Sequence, residues 1–344
     1  MTDKEAGAFY MARNEGTGVY DARHELLHPE TKRLLTGDTL TETQYFGFNI
    51  PEHRIHGLTY LWWHPNLGTV SGGVWAFQGI KPHTLASEIF DWRPNMSEKA
   101  LANDLHDYTL DMGLRARIVE PGKSFHVQYE DARRGNRLDI TFDAVMPPYV
   151  FGDNRHFEQT MKTRGEIVLR GQRYDINGYS VRDRSWGALR AEHLEPVPPV
   201  TWMSGAFGDD FSFCCSAFDH PDLGPDWAGQ FDFPADRVCI GGYVRRDGET
   251  LDIVDCRKRT VHNERTLYPE SIEMEITDRS GRRFVLKGTI IAACSFSQWQ
   301  NMTVPLCLAK WECGERVGYG DVQDVQWSDY VFARLGRKST TEVV

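Results

Sequence analysis

Turn-forming residues divide most of this chain into runs too short for anything but strands. LTYLWWH (58–64), TVSGGVWAFQG (69–79), FHVQYED (125–131), RLDITFDAV (137–145), YDINGYSV (174–181), FSFCCSAF (211–218), SIEMEITD (271–278) and VPLCLAKWEC (304–313) are examples. Each is rich in β-branched or aromatic residues, the composition of a pleated, half-buried surface. Arg134-Gly135-Asn136, Gly208-Asp209-Asp210, Asp247-Gly248 and Ser280-Gly281 lie between such runs. These residues tolerate the positive φ that tight hairpins require. Strands joined by short turns, with few helices between them, predict an all-β protein of antiparallel barrels or sandwiches.

The length of 344 residues predicts two domains. The best place to divide them is AEHLEPVPPV (191–200), whose three prolines do not fit a central strand. The expected units are residues 1–190, an N-terminal arm plus a first β domain, and residues 191–344, a second β domain. The first ~35 residues read as a loose arm or a few helical turns. One helix is expected where Ser97 could cap SEKALANDLHDY, with Leu101, Leu105 and Tyr108 on one face. GYSVRDRSW (178–186) is faintly echoed by GYGDVQDVQW (318–327), which has one extra residue. The echo fits either coincidence or two copies of one barrel.

A net charge of −10 without a basic stripe argues against nucleic acid. The seven cysteines contain no CxxC pair, so a structural zinc site is not expected. Scattered over strand-like runs, they fit reduced, buried thiols and a cytoplasmic setting. The start MTDKEAGAFY lacks a signal-peptide pattern, and no apolar run is long enough to span a membrane.

GYSVRDRSWG (178–187) carries the sharpest chemical signal. Side chains on an extended segment alternate. Tyr179, Val181, Asp183 and Ser185 then share one face, and Ser180, Arg182, Arg184 and Trp186 the other. A carboxyl on the more apolar face would be pushed up in pKa by burial and pulled down by the arginines. Such a group can hold or release a proton near neutral pH, as a general acid or base must. The plainer reading makes Asp183 part of a structural ion pair with Arg182, Arg184 or another arginine.

The Gly-Tyr…Asp…Ser-Trp-Gly pattern resembles the signature of carotenoid 1,2-hydratases (hydroxyneurosporene synthases) and their lipocalin-like relatives. HFEQTMKTRGEIVLRGQRYDINGYSVRDRSWG (156–187) and YFGFNIPEHRIHGLTYLWWHPN (45–66) are similar to an uncharacterised bacterial branch of that superfamily. The resemblance implies two packed lipocalin-like barrels with a ligand near their junction. It also implies that Asp183 occupies the family's acid position, with His156 a partner and Glu158 and Trp186 completing the motif. Arg184-Ser185 stand where His-Asn would be expected, which removes one candidate proton shuttle.

Other constellations carry less. His53, His56 and His64 lie near Glu52, but they do not have the convergence a metal site needs. His64, after Trp62 and Trp63, reads better as a cavity-lining residue. Gly72 and Gly73 are followed by a strand rather than the helix of a phosphate loop, so they predict a bulge or a close strand approach. Cys214 and Cys215 should point to opposite faces as structural residues. Gln298, Trp299 and Gln300 could orient a bound hydroxyl or carbonyl, or plug a barrel end; Tyr319 and Asp324 belong to the echo.

The sequence therefore predicts a cofactor-free acid–base enzyme of the hydratase or lyase type, acting on a bulky apolar substrate (terpenoid, steroid or lignin-type aromatic). Asp183, His156 and Arg182 are the expected catalytic residues. Glu158, Tyr179, Arg184, Trp186, His64, Trp299 and Tyr319 are expected to bind substrate. No metal or other cofactor is expected, and a homodimer is allowed. The rivals are a carrier of hydrophobic ligands and a non-catalytic interaction module.

Overall fold

A computed structural model describes residues 18–33, 40–152, 154–189, 197–297 and 302–336. The first strands are β1 (Leu40–Ile50), β2 (Ile55–His64), β3 (Thr69–Gln78), β4 (Ile89–Ser97), β5 (Asp107–Thr109) and β6 (Arg115–Glu120). β7 (Ser124–Asp131), β8 (Asn136–Ala144), β9 (Tyr149–Val150), β10 (His156–Leu169) and β11 (Gln172–Leu189) follow. Together they form one open sheet in the order β4-β3-β2-β1-β11-β10-β8-β7-β6-β5, with β9 on β10. The remaining strands are β12 (Val200–Ala206), β13 (Phe211–Phe218), β14 (Cys239–Arg246), β15 (Glu249–His262), β16 (Pro269–Asp278), β17 (Arg283–Phe296), β18 (Met302–Cys313) and β19 (Arg316–Trp327). They close in sequence order into a barrel. The fold is all-β and lipocalin-like, one half an open sheet and the other a closed barrel. All named ladders are antiparallel, and Asp247 and Gly248 both take positive φ, at 52° and 87°, as their hairpin requires.

The open sheet is buried on both faces at its centre, which explains why β2 and β3 read as nearly continuous apolar runs. Phe46, Phe48, Ile50, Leu61 and Trp63 turn into the sheet's own core with Phe125, Ile140 and Ile176. Tyr45, Leu58, Trp62, Trp75 and Val181 turn the other way and meet Cys294, Phe296, Leu306 and Leu308 on the outer wall of the barrel. The barrel has its own interior, including Met203, Cys215, Trp311 and Val322. Backbone bonds tie the halves as well: the Lys81 amide donates to the Ala293 carbonyl at 2.8 Å, and the Ala293 amide to Gly79 at 3.2 Å.

Several local expectations meet their structures here. Ser97 does cap, its Oγ accepting from the Lys99 amide, but the helix is one 3-10 turn, Glu98–Leu101. Leu101, Leu105 and Tyr108 are buried without an extended helix, because the 3-10 turn, the turn after it and the short strand β5 deliver them in succession to the sheet core. The arm contributes two 3-10 turns, Ala22–Glu25 and Pro29–Arg33. Gly72 borders a register shift, and a Cβ at Gly73 would lie 1.9 Å from the Asp91 carbonyl oxygen. This is both a bulge and a close strand approach. The seven cysteines are unpaired thiols, and Cys214 and Cys215 turn to opposite sides of the barrel wall. The proposed division at 190/191 and most of the proline-rich stretch, residues 190–196, lie outside the described residues, as do Gln298, Trp299 and Gln300. Among the described residues one α-helix, α1 (Ser328–Arg334), follows β19, and no helix is long and apolar enough to cross a membrane.

Candidate active site

The alternation read from GYSVRDRSWG holds, and it separates one acid from two arginines. Asp183 pairs directly with Glu158 on β10 and with Tyr45 on β1, and Tyr45 pairs with Tyr60 on β2. Directly opposed residues share a face, with Cβ atoms roughly 5 Å apart. A row therefore crosses the sheet as Tyr60, Tyr45, Asp183, Glu158 and Tyr149. The next row holds Trp62, Thr43, Ser185 and His156, with Thr43 Oγ1 and Ser185 Oγ 2.7 Å apart. Both rows face the barrel.

Glu158 is fully buried, and the row above supplies its hydrogen-bond partner. His156 Nε2 lies 2.8 Å from Glu158 Oε1, and from the barrel Trp202 Nε1 donates to the same oxygen at 2.6 Å. Glu158 Oε2 is buried without a hydrogen-bond partner among the described residues. Asp183 is 8% exposed, and its carboxyl is hydrogen-bonded to no described residue. Burial, reinforced by the neighbouring Glu158 charge, pushes the Asp183 carboxyl up to about 8, against the pull of His156 and of the two arginines. Burial also raises Glu158, although His156 and Trp202 favour its ionised form. Two carboxyls this close in a dry environment cannot both ionise cheaply. The arrangement is an acid that holds its proton beside a hydrogen-bonded Glu158–His156 pair. Tyr60, Trp92, His156 and Trp202 around it are only partly buried, so this face is not sealed.

The raised carboxyl has a consequence for stability. Asp183 holds its proton to higher pH folded than unfolded, so its contribution is complete below about pH 4 and is lost as pH rises towards about 8. Each factor of ten in that equilibrium is worth about 1.4 kcal/mol. Asp183→Asn, neutral at every pH, should therefore gain stability over the parent by at least ~1 kcal/mol at pH 8 and by little at pH 4. Urea unfolding at the two pH values measures this; an equal effect at both would contradict a buried, proton-holding Asp183.

The other expected residues are distributed as follows. Arg182 lies on the opposite face and does not approach the acid's carboxyl. Its guanidinium makes a two-pronged pair with Glu25 at 2.7 and 2.8 Å, its Nε donates to Gln159 at 2.7 Å, and it lies 4.0 Å from the Phe125 ring centre. Arg184 donates to the carbonyls of Thr43 and Leu26 at 2.9 and 2.6 Å and lies 3.5 Å from Glu42. Trp186, on this face too, stacks on His24 and His28. These three were expected at a ligand; the pleat turns them away to hold the N-terminal segment. Nor is Asp183 in an ion pair with either arginine, since their carboxylate partners are Glu25 and Glu42. Tyr179 shares the acid's face four residues along, where its hydroxyl donates to Asp209 of the barrel at 2.8 Å. His64 lies at the end of β2, within 3.3 Å of Thr41 and 3.2 Å of Ser71. Tyr319 packs against the junction cluster, whereas Trp299 lies outside the described residues. Among the described residues no three His, Cys, Asp or Glu side chains converge as metal ligands.

Sequence reasoning passed over Tyr45, Tyr60, Trp202 and Asp321. The Tyr45 hydroxyl donates to Asp321 Oδ2 at 2.9 Å, and Asp321 is fully buried on the outer wall of the barrel. The alternation of β19 was the available signal: it sets Asp321 on the same side as Tyr319 and turns Asp324 inward. Inside the barrel Asp324 accepts from Thr201 at 2.8 Å and lies 2.9 Å from His262 Nε2.

Fold and site together define a two-part lipocalin-like β protein with buried carboxyls where sheet meets barrel. The chain belongs to the family described as "Domain of unknown function (DUF7064)", which matches residues 21–330. The fold is shared with a candidate AttH from Nitrosomonas europaea, with a TM-score of 0.53 at 13% identity over 90% of this chain and 97% of that one. It is shared also with CghA, with a TM-score of 0.56 at 10% identity over 92% and 96%. Kievitone hydratase from Nectria haematococca overlays with a TM-score of 0.48 at 13% identity over 92% and 98%. No curated protein matches the chain.

Proposed function

We propose that the protein is a cofactor-independent hydratase- or lyase-type enzyme that adds water to, or removes it from, a bulky apolar substrate at the junction of sheet and barrel. The observation that carries this reading is the Asp183 carboxyl, buried, without a hydrogen bond among the described residues and set directly opposite Glu158, which His156 holds. The resemblance of the Gly-Tyr…Asp…Ser-Trp-Gly pattern at 178–187 to the carotenoid 1,2-hydratase signature supports the same position for the acid. The aromatic surroundings, Tyr60, Trp62, Trp92 and Trp202, suit a terpenoid, steroid or lignin-type aromatic.

In the addition direction Asp183 gives its proton to one carbon of a substrate double bond. Water bonds to the other carbon, and its released proton passes to the His156–Glu158 pair. Return of that proton to Asp183 restores the site, so the sum is alkene plus water to alcohol. Elimination runs the same steps in reverse. Arg182 and Arg184 have no part in these transfers; they hold the strand that carries the acid.

The test is incubation with alkenes and alcohols of the three substrate classes in deuterium oxide, followed by mass spectrometry. Carbon-bound deuterium with gain or loss of water supports the reading. Tight binding of such compounds without conversion refutes it in favour of a carrier. The pH dependence is a further check. The acid form of Asp183 is required for addition, so the rate should hold through neutral pH and fall tenfold per pH above about 8. Glu158→Gln removes the neighbouring negative charge and should move that descending limb to lower pH. A limb that stays in place would remove Glu158 from the coupled pair.

A further inference from the structure

We infer that Asp321, carried by the barrel, is a positioning residue for the carboxyl pair of the sheet, acting through the Tyr45 hydroxyl. The inference rests on the proton-transfer reading above and extends it to the other half of the molecule. Tyr45 is the direct cross-strand neighbour of Asp183, and its hydroxyl is held by Asp321 Oδ2 at 2.9 Å. The Asp321 amide in turn donates to Ser204 Oγ at 3.1 Å, fixing the residue on the barrel wall. Gly47 makes room for this contact: a Cβ there would lie 2.2 Å from Asp321 Oδ2. The backbone at Gly47 does not take a positive φ, so the steric demand, not the chain conformation, calls for glycine.

Asp321 Oδ1 has no hydrogen-bond partner among the described residues. His56 Nδ1 is 3.7 Å from it, and neither ring nitrogen of the fully buried His56 has a side-chain hydrogen-bond partner there. The titratable groups that act on Asp321 are Tyr45 on β1, His56 on β2, Glu158 on β10 and Cys214 on β13, and Tyr45 is itself flanked by Tyr60 on β2 and Asp183 on β11. Burial drives His56 down to about 3, so it is neutral and gives Asp321 no counterion. Burial and the Glu158 charge raise Asp321 to about 7, against the Tyr45 hydrogen bond. Glu158, Asp183 and Asp321 thus compete for protons across the junction, with His156 hydrogen-bonded to Glu158. A negative charge on Asp321 helps the sheet's pair keep its proton, and Tyr45 sets how near that charge stands.

The experiment uses the full chain without substrate. Carboxyl resonances of 13C-labelled Asp and Glu are followed through a pH titration in the parent, Asp321→Asn and Gly47→Ala. Asn keeps an acceptor oxygen for Tyr45 but carries no charge. The Ala methyl displaces the Asp321 carboxylate while leaving it chemically intact. In both variants the Asp183–Glu158 midpoint should fall by at least ~0.5 in pH. A midpoint that is unchanged or higher in Asp321→Asn overturns the inference, and an unchanged one in Gly47→Ala overturns the route through Tyr45. Turnover plays no part in this readout. A chain that titrates as expected yet converts nothing refutes the reaction and leaves the coupling standing.

Discussion

Asp183→Asn should reduce turnover by ~10²–10⁴-fold, the contribution of one positioned acid, while changing substrate affinity little. Asn has the size of a protonated Asp and sits in the same space, so the apolar walls that hold the ligand are undisturbed. What it lacks is a proton it can give away. The parent carboxyl makes no hydrogen bond among the described residues, so no protein contact is broken by the change. Two measurements on one purified variant decide the matter: ligand affinity by fluorescence titration, and single-turnover conversion by mass spectrometry. Undiminished conversion would remove Asp183 from the chemistry. Affinity lost in parallel with rate would make it a binding group instead.

The second large effect lies on the other face of the same strand. Arg182→Ala leaves Glu25 buried without its cation, and breaking such a pair from one side costs about 3–5 kcal/mol. Burial alone would push the Glu25 carboxyl up, but the Arg182 guanidinium outweighs it and holds it below its ordinary value. The same guanidinium lies 4.0 Å from the Phe125 ring centre and 4.8 Å from that of Phe157, so packing is lost together with charge. Urea unfolding should show the loss in full. Replacing both partners, Arg182→Met with Glu25→Leu, should recover much of it, because no unpaired charge then remains. A single variant as stable as the parent would mean that Glu25 finds another partner, and the pair would no longer explain why an interior strand carries two arginines.

How far these features could be read in advance depended on whether a single strand determines them. Alternation along β11 is local, so the sequence separated Asp183 from Arg182 and Arg184 before any coordinates. Turn residues are local too, and the all-β class followed from them. The partners of the arginines were not legible, because Glu25 and Glu42 lie far away in sequence, at 157 and 142 residues from them. Trp202 and Asp321 escaped for the same reason: each matters only through the docking of the barrel wall on the sheet. The resemblance assigned Trp186 to the motif, but pleating sets it among His24 and His28, away from the acid. The expected helix after Ser97 is one turn because Leu105 reaches the core from a turn and Tyr108 from strand β5. The echo between 178–186 and 318–327 misaligned the acids, since its extra residue turns Asp324 into the barrel and leaves Asp321 outside.

The open sheet borrows its roof from a barrel that is already complete in itself. The buried acids and histidine of β10 and β11 and the barrel wall that β12 and β19 set against them therefore come from separate sheets. Exchanging junction residues such as Phe296, Leu306 or Leu308, which pack on the β2 and β3 side with Trp62 and Trp75, would reshape the apolar seam while Asp183 keeps its own strand neighbours. On the proposed reading, a lineage built this way can diversify the molecules it accepts by renovating one storey while the acid's own strands are passed on intact.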